Sequence, residues 1–574
     1  MIELKSCPKG YSRGLDKVIS PKDTVDRAKK ILEKFGNDIL LEVKRIDKGR
    51  LGIPVYFSLY GPRARKICPA RKQMGKGPSR DQAEASAVME LIERYSFFSF
   101  CENPKNFKRL TWNEAKEEFG EDKLIGVEEI IKSVDDNLSI KDAECILSLV
   151  KWNFCEAYRV YDAKYFMAPI DWFKKLNEYN GASAGNTFEE SILQGACELI
   201  ERHVSAYIDR NELVVPTIDK RSVKDPVLKE LIFCFEKNNI LLWLKDFSLN
   251  FEVPTVGALA YDPSTFPDLS EIVFTAGTAT SPEKAAIRAI TEVAQLAGDF
   301  CTSSRYEPSG LRKFTTFKET KWVREGETVP ISTLPDISDN DIYNELMKLS
   351  YDLKQKGFNL YSIDTTHKDI TIPSNYNFVP GFLFRERTRF PSIGLFVGRQ
   401  LVEEEDIETA EKGLVKLEET YGKAYFIPFF WGMFYHRIGD SEKAFRYFED
   451  SIPLQPAAEE KSMVLFYMAH ILYQREDYAG AINLLNEAIE LAEDNSVYFN
   501  LRGICNFRLE RYNDAKGDFL KALDLDAGSA IDLANLGMCY KRLGDNFLAK
   551  HYLKEALKLD PSIEFARENL KDLN

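Results

Sequence analysis

Five histidines and ten cysteines are scattered through 574 residues, without one Cys-x-x-Cys pair. That scatter excludes a zinc site of ordinary spacing and a disulfide framework. Positive charge is also short: 77 Lys and Arg stand against 90 Asp and Glu, a formal net charge of −13. A basic face for bulk nucleic acid is excluded with it. No apolar run reaches bilayer length, and the most apolar stretch, Tyr425–Tyr435, is too short to span. The opening residues MIELKSCPKGYSRG hold no apolar signal core. A soluble, cytoplasmic protein without membrane or nucleic-acid partners is therefore expected. There is no G-x-x-x-x-G-K-[ST] loop and no kinase catalytic-loop signature. Gly75-Lys76-Gly77 comes nearest to a phosphate loop, but no Ser or Thr follows Lys76.

What is present is a repeated acidic motif. Glu-Leu-Ile-Glu-Arg occurs at Glu90–Arg94 and again at Glu198–Arg202. Each copy ends a helical stretch rich in Ala, Leu, Ile and aromatics, where carboxylates are costly to bury without a cation. At 3.6 residues per turn, Ser86, Glu90, Glu93 and Arg94 share one face. Ser191, Gln194, Glu198, Glu201 and Arg202 share another, and Arg288, Glu292 and Gln295 a third. Converging glutamates suit a hard cation such as Mg²⁺. The arginines and the Ser and Gln donors suit phosphate oxygens. A Glu with Arg at i+4 is also the mark of a plain solvated helix pair. The duplicate pentapeptide and its apolar flanks favour the site.

Ser-x3-Glu-x2-Glu-Arg at Ser86–Arg94, Ser-x6-Glu at Ser191–Glu198 and Arg-x3-Glu-x2-Gln at Arg288–Gln295 resemble, in order, the three nucleotide motifs of the YcaO family. The flanks at Gly75–Ala87 and Gly181–Arg202 agree, and the resemblance runs over roughly residues 1–400. It implies an ATP- and Mg²⁺-dependent enzyme that phosphorylates a peptide backbone amide and lets a nucleophile displace the phosphate. It implies metal binding by Glu90, Glu93, Glu198, Glu201 and Glu292. It implies nucleotide contacts from Lys76, Ser86, Arg94, Ser191, Gln194, Arg202, Arg288 and Gln295 besides these glutamates. Glu198, Glu292 and Arg288 are the expected catalytic residues, Arg288 facing phosphate. Lys76 in its glycine loop reads equally as a solvated lysine.

Strand and helix signals alternate before residue 400. Ser20-Pro21 opens a helix, IPVYFSLYG reads as a strand, and WNFCEAYRVYDAKYFMAPI alternates like paired strands. GASAGN reads as a tight turn, with Asn186-Thr187 as a cap for the second acidic helix. FEVPTVGALAYD and EIVFTAGTATS read as strands, the latter leading through Ser281-Pro282 into the third helix. The class is α/β or α+β. His203 falls off the acidic face and is expected to pack, and His367 to lie at the surface. Cys101, Cys145, Cys155, Cys197, Cys234 and Cys301 read mostly as reduced core residues. Cys7 and Cys68 lie in more polar loops beside Pro, where a reactive thiol would be the exception.

Beyond residue 400 the chain reads as all helix. Ala444, Ala481, Ala515 and Ala549 recur at spacings of 37, 34 and 34, and Gly432, Ala469, Gly503 and Gly537 keep step. Phe448, Leu485, Phe519 and Leu553 fill the next core position, and Pro456 and Pro561 close the first and last repeats. This is similar to tetratricopeptide repeats. The expected organisation is a catalytic domain over 1–400, a helical linker over 401–424, and four repeats with a capping helix over 425–574. His436, His470 and His551 read as ordinary helix residues.

The solenoid would either recruit a peptide or protein substrate, a sulfur donor or another partner, or serve as scaffold; a homodimer is the expected assembly. Family members that form azolines typically end in a Pro-rich tail, whereas this sequence ends in a helical repeat. Thioamide formation or a related sulfur transfer is therefore the expected activity. The alternatives are an azoline-forming cyclodehydratase and an ATP-binding accessory factor for ribosomal protein methylthiolation.

Overall fold

A computed structural model describes residues 2–47, 49–297, 300–301, 310–385, 390–526 and 528–573. The chain divides into two compact units, Met1–Ile140 with Lys151–Pro391, and Lys141–Val150 with Ser392–Asn574. The first is mixed α and β, and the second is all helical.

The first unit opens with helix α1 (Pro21–Leu32), capped by the Ser20 hydroxyl on the Asp23 N–H. Strands β1 (Leu40–Arg45), β2 (Val55–Tyr60) and β3 (Lys72–Lys76) follow, then the long helix α2 (Arg80–Glu102). Next come β4 (Lys108–Leu110), the hairpin β5 (Trp152–Arg159) and β6 (Lys164–Pro169), and β7 (Ala182–Ala184). Helix α3 (Phe188–Asn211) is capped by Thr187 on the Glu190 N–H. Strands β8 (Thr217–Asp219), β9 (Leu241–Asp246), β10 (Thr255–Tyr261) and β11 (Val273–Thr278) lead into α4 (Pro282–Ala297). β12 (Thr328–Pro330), α5 (Ile342–Gln355), β13 (Tyr361–Asp364) and β14 (Ser374–Phe378) complete the unit.

These strands form three sheets. One has the order β1-β2-β3 and another β11-β10-β9-β8-β12. The third runs β4-β5-β13-β14-β7, with β6 paired to β5. All but the β8–β12 pair are antiparallel. The sheets explain why the acidic helices are apolar on most of their circumference. α3 buries Ile192, Leu199, Ile200 and Val204, and α4 buries Ala285, Ile287, Ile290 and Val293. A polar stripe of each helix stays unburied, with Glu90, Glu198 and Glu292 on it.

Two expectations change here. GASAGN is not only a turn, because Ala182–Ala184 forms β7, paired with β14. Gly75–Gly77 is not a free loop: Gly75 and Lys76 end β3. A Cβ on Gly75 would lie 2.0 Å from the Ala87 nitrogen and 2.3 Å from the Ala83 carbonyl oxygen. The glycine is there so that α2 can lie on the strand.

The second unit holds paired helices from Ile393–Glu403 and Ile407–Tyr421 through to the closing helix Glu564–Asp572. The recurring small residues do what their spacing implies. A Cβ on Gly432 would meet the Phe448 ring at 2.6 Å, on Gly503 the Phe519 ring at 2.9 Å, and on Gly537 Leu553 at 2.9 Å. The histidines are less ordinary than expected: His436 and His470 meet edge to face with centroids 5.4 Å apart.

Candidate active site

α2, α3 and α4 turn their polar stripes toward one cavity of about 380 Å³. Lys76, Ser86, Glu90, Glu93, Arg94, Gln194, Glu198, Glu201, Arg202, Arg288, Glu292 and Gln295 all line it. Ser191 does not. It is fully buried, and its hydroxyl donates to the Ser183 carbonyl at 3.0 Å, tying the first turn of α3 to β7.

α2 and α3 each carry a cation beside their own carboxylates, whereas the α4 carboxylate takes its cation from β3. Arg94 lies 3.2 Å from Glu93 and 3.8 Å from Glu90. It also donates to the Tyr179 carbonyl at 3.1 Å and sits over the Tyr179 ring at 4.3 Å. Arg202 lies 3.8 Å from Glu198. Arg288 donates to the Gln194 side-chain oxygen at 2.9 Å, which joins α4 to α3. Glu201 accepts from the Thr278 N–H at 3.0 Å, joining α3 to the end of β11. Lys76 pairs with Glu292.

The family model described as YcaO cyclodehydratase, ATP- and Mg²⁺-binding, matches residues 74–383, more than half of the sequence. The chain belongs to the YcaO family. A tetratricopeptide repeat model matches residues 533–563. A protein of Methanothermobacter thermautotrophicus described as uncharacterized is 24% identical over 387 residues, 63% of this chain and 94% of that one. Heat shock protein STI1 of Saccharomyces cerevisiae is 31% identical over 103 residues, 18% of each chain. The solved structure of YcaO from Methanopyrus kandleri bound with AMPPCP and Mg²⁺ is similar at 21% identity, over 66% of this chain and 94% of that one, with a TM-score of 0.49.

The cavity of this YcaO chain fits the family's ligands in chemical type. The Arg202 and Arg288 Nε groups are buried and have no hydrogen-bond partner. Both residues line the one polar cavity, and guanidinium groups with unused donors match anionic phosphate oxygens. The oxygen-only acidic donors match Mg²⁺. Among the described residues, however, no three Asp, Glu, His or Cys side chains stand close enough together to hold an ion. The carboxylates expected to converge on a metal are engaged instead with Arg94, Arg202, Lys76 and the Thr278 N–H.

Burial sets the electrostatics. It raises the Glu90 and Glu93 carboxyls, Glu93 well above the usual range, with Arg94 opposing the shift at both. It raises Glu201 too, against Arg288 and Arg202. Burial and the Arg288 charge lower the Lys76 ammonium to about 8. Bringing cations into such a cavity returns the carboxylates toward their charged form.

The cavity has lining residues that helical spacing alone did not reveal. Lys17 lines it 3.3 Å from Glu190, and Glu190 also accepts from the Val18 N–H at 3.0 Å. Tyr179 lines it from the loop before β7. Neither belongs to a periodic segment, so spacing did not single them out. His203 packs as expected: its Nδ1 accepts from the Leu383 N–H at 2.9 Å, its ring stacks on Phe382 at 4.3 Å, and burial lowers it to about 4. His367 is half-buried against Tyr95 at 5.3 Å, not free at the surface. Cys7 and Cys68 are buried with raised thiols, Cys68 to about 12, so neither is an activated nucleophile. Cys145 is exposed, contrary to the core reading.

Proposed function

We propose that this protein uses ATP to activate a peptide backbone amide for sulfur transfer. The observation that carries the reading is the pair of buried, unpartnered Nε donors of Arg202 and Arg288 among residues of a cavity lined by six glutamates. Arg288, held by Gln194, and Arg202 would meet the phosphate oxygens. Glu90, Glu93, Glu198, Glu201 and Glu292 would hold Mg²⁺, exchanging their present partners for it. When bound, the ion offsets triphosphate charge and holds the transferring group in line.

The amide oxygen would attack the γ-phosphorus as ADP leaves, and the amide nitrogen would give up its proton. Hydrosulfide would then add to the carbon, phosphate would leave with the original oxygen, and the nitrogen would regain a proton. The matching family model is described as a cyclodehydratase, so the product's mass decides between sulfur and an azoline-forming side chain. The repeats, which are of a kind suited to protein contacts, would dock the substrate or the sulfur donor.

Mass spectrometry of the cell's proteins with and without this chain tests the reading. Exchange of one oxygen for sulfur at a backbone amide is the expected product. Loss of water at Cys, Ser or Thr would make it a cyclodehydratase instead, and an added methylthio group would make it an accessory of that chemistry.

A further inference from the structure

A second cavity, of about 390 Å³, lies on the sheet that contains β5. Its walls include Phe107, Phe154 and Met167, with Glu156 and Ser362 among its polar residues. None of these lines the catalytic cavity.

β5 is covered by β6 from Phe154 to Arg159 on one edge. On its other edge β4 pairs with Trp152–Phe154 and β13 with Tyr158–Arg159. Among the described residues no strand pairs with Cys155, Glu156 or Ala157 on that side. The Val160 N–H donates to the Leu360 carbonyl at 3.0 Å across this edge. Alternation then aims the N–H and C=O of Glu156 into the gap. Ser362 supplies an independent sign. It is 1% exposed, it lines the cavity, and its Oγ has no hydrogen-bond partner. A buried hydroxyl is costly to leave unpaired.

Three open strand positions span about 10 Å, the length of a short extended peptide. A cavity of this size is in the range of ligand sites. A peptide backbone offers alternating donors and acceptors to a strand edge, and one more to Ser362, while side chains pack on the half-buried Phe107 and Met167. Resting on the reading that the substrate is a polypeptide, we propose that this cavity takes an extended segment of that substrate as a short added strand on β5. The segment would lie outside the catalytic cavity, apart from the amide being activated.

The test uses the full-length chain, immobilised without ATP, and a random hexapeptide library blocked at both ends. Retained peptides are resynthesised with a fluorophore and titrated by anisotropy. The expected result is a tenfold or greater loss of affinity when alternate peptide nitrogens are methylated, which needs no protein variant. Glu156→Pro should give a similar loss. Ser362→Ala should weaken binding while raising the melting temperature, because it removes the unpaired hydroxyl. Glu292→Gln should leave binding unchanged. The proposal is overturned if no peptide is retained or if N-methylated peptides bind equally well. It is overturned too if Glu292→Gln abolishes binding that a normally melting Glu156→Pro protein keeps. Binding is read without turnover, so a failure of amide activation would appear in the mass data and leave these titrations unchanged.

Discussion

Arg94 separates two accounts of the acidic helices. In a solvated i, i+4 pair its loss would cost at most about 1 kcal/mol. In the structure Arg94 is 9% exposed and the Glu93 side chain 13%. Arg94→Met keeps most of the apolar stem but removes the guanidinium 3.2 Å from Glu93 and 3.8 Å from Glu90, along with the Tyr179 contacts. Glu93 is then stranded. Breaking a buried pair in this way costs about 3–5 kcal/mol. Adding Glu93→Gln removes the stranded charge and should return much of that loss, and the double-mutant cycle isolates the coupling. Amide exchange of α2 peptides along a urea gradient reads this unit apart from the repeats. A loss under about 1 kcal/mol at pH 7, or no recovery in the double variant, would refute the buried-pair argument.

Glu198→Gln and Glu292→Gln should each abolish ATP turnover while the circular dichroism spectrum is kept, and full ATPase activity in both would remove them from the site. Gly277→Ala should weaken ATP binding tenfold or more by calorimetry, because its Cβ would come within 2.4 Å of the Ala289 nitrogen and push α4 off β11. His203 is lowered by burial to about 4, so the folded state binds fewer protons than the unfolded one between that value and the ordinary 6.5. Its contribution is present above pH 6.5 and is lost as pH falls toward 4, by about 3 kcal/mol in all. A His203→Gln protein should melt with a flatter pH dependence over that window, and an unchanged slope would contradict the assignment.

The acidic faces were readable because a helix repeats every 3.6 residues, so spacing alone placed Glu90 with Glu93 and Glu198 with Glu201. The repeats were readable for a similar reason, since the small residues stand where a large apolar side chain of the paired helix arrives, Phe448 on Gly432, Phe519 on Gly503 and Leu553 on Gly537. Ser191 was misleading because it shares a face with Glu198 two turns away, yet its turn of α3 is closed against β7. Cys7 looked like a loop thiol, but its N–H donates to Asp341 at 2.8 Å, a residue 334 positions away that no local pattern announces. The β5 edge was invisible for the same reason: a gap between β4 and β13 exists only once distant strands are paired.

The first and third acidic helices are positioned by one device used twice. Gly75 of β3 faces the Ala83 carbonyl and the Ala87 nitrogen of α2; Gly277 of β11 faces the Ala285 carbonyl and the Ala289 nitrogen of α4. In both, the contact spans one helical turn, and the carboxylate follows three residues after the second alanine, as Glu90 and Glu292. The residue just before that alanine is Ser86 in one copy and Arg288 in the other. A strand glycine thus sets how deeply each helix sits, and helical periodicity then carries a glutamate to the cavity wall. α3 is seated the other way round, by a glycine of its own: a Cβ on Gly195 would come within 2.2 Å of the Asn377 amide nitrogen and 2.7 Å of the Ser183 hydroxyl, and Glu201 on the Thr278 N–H and Gln194 on Arg288 add side-chain ties. Its polar residues therefore line the site and tie α3 to the β11–α4 half, while Lys76 of β3, paired with Glu292, joins that half to the β3–α2 half. For that reason loss of the Glu201 or Gln194 side chain should disturb β11 and α4 first, whereas a change at Lys76 or Glu292 should be felt in both glycine-seated halves.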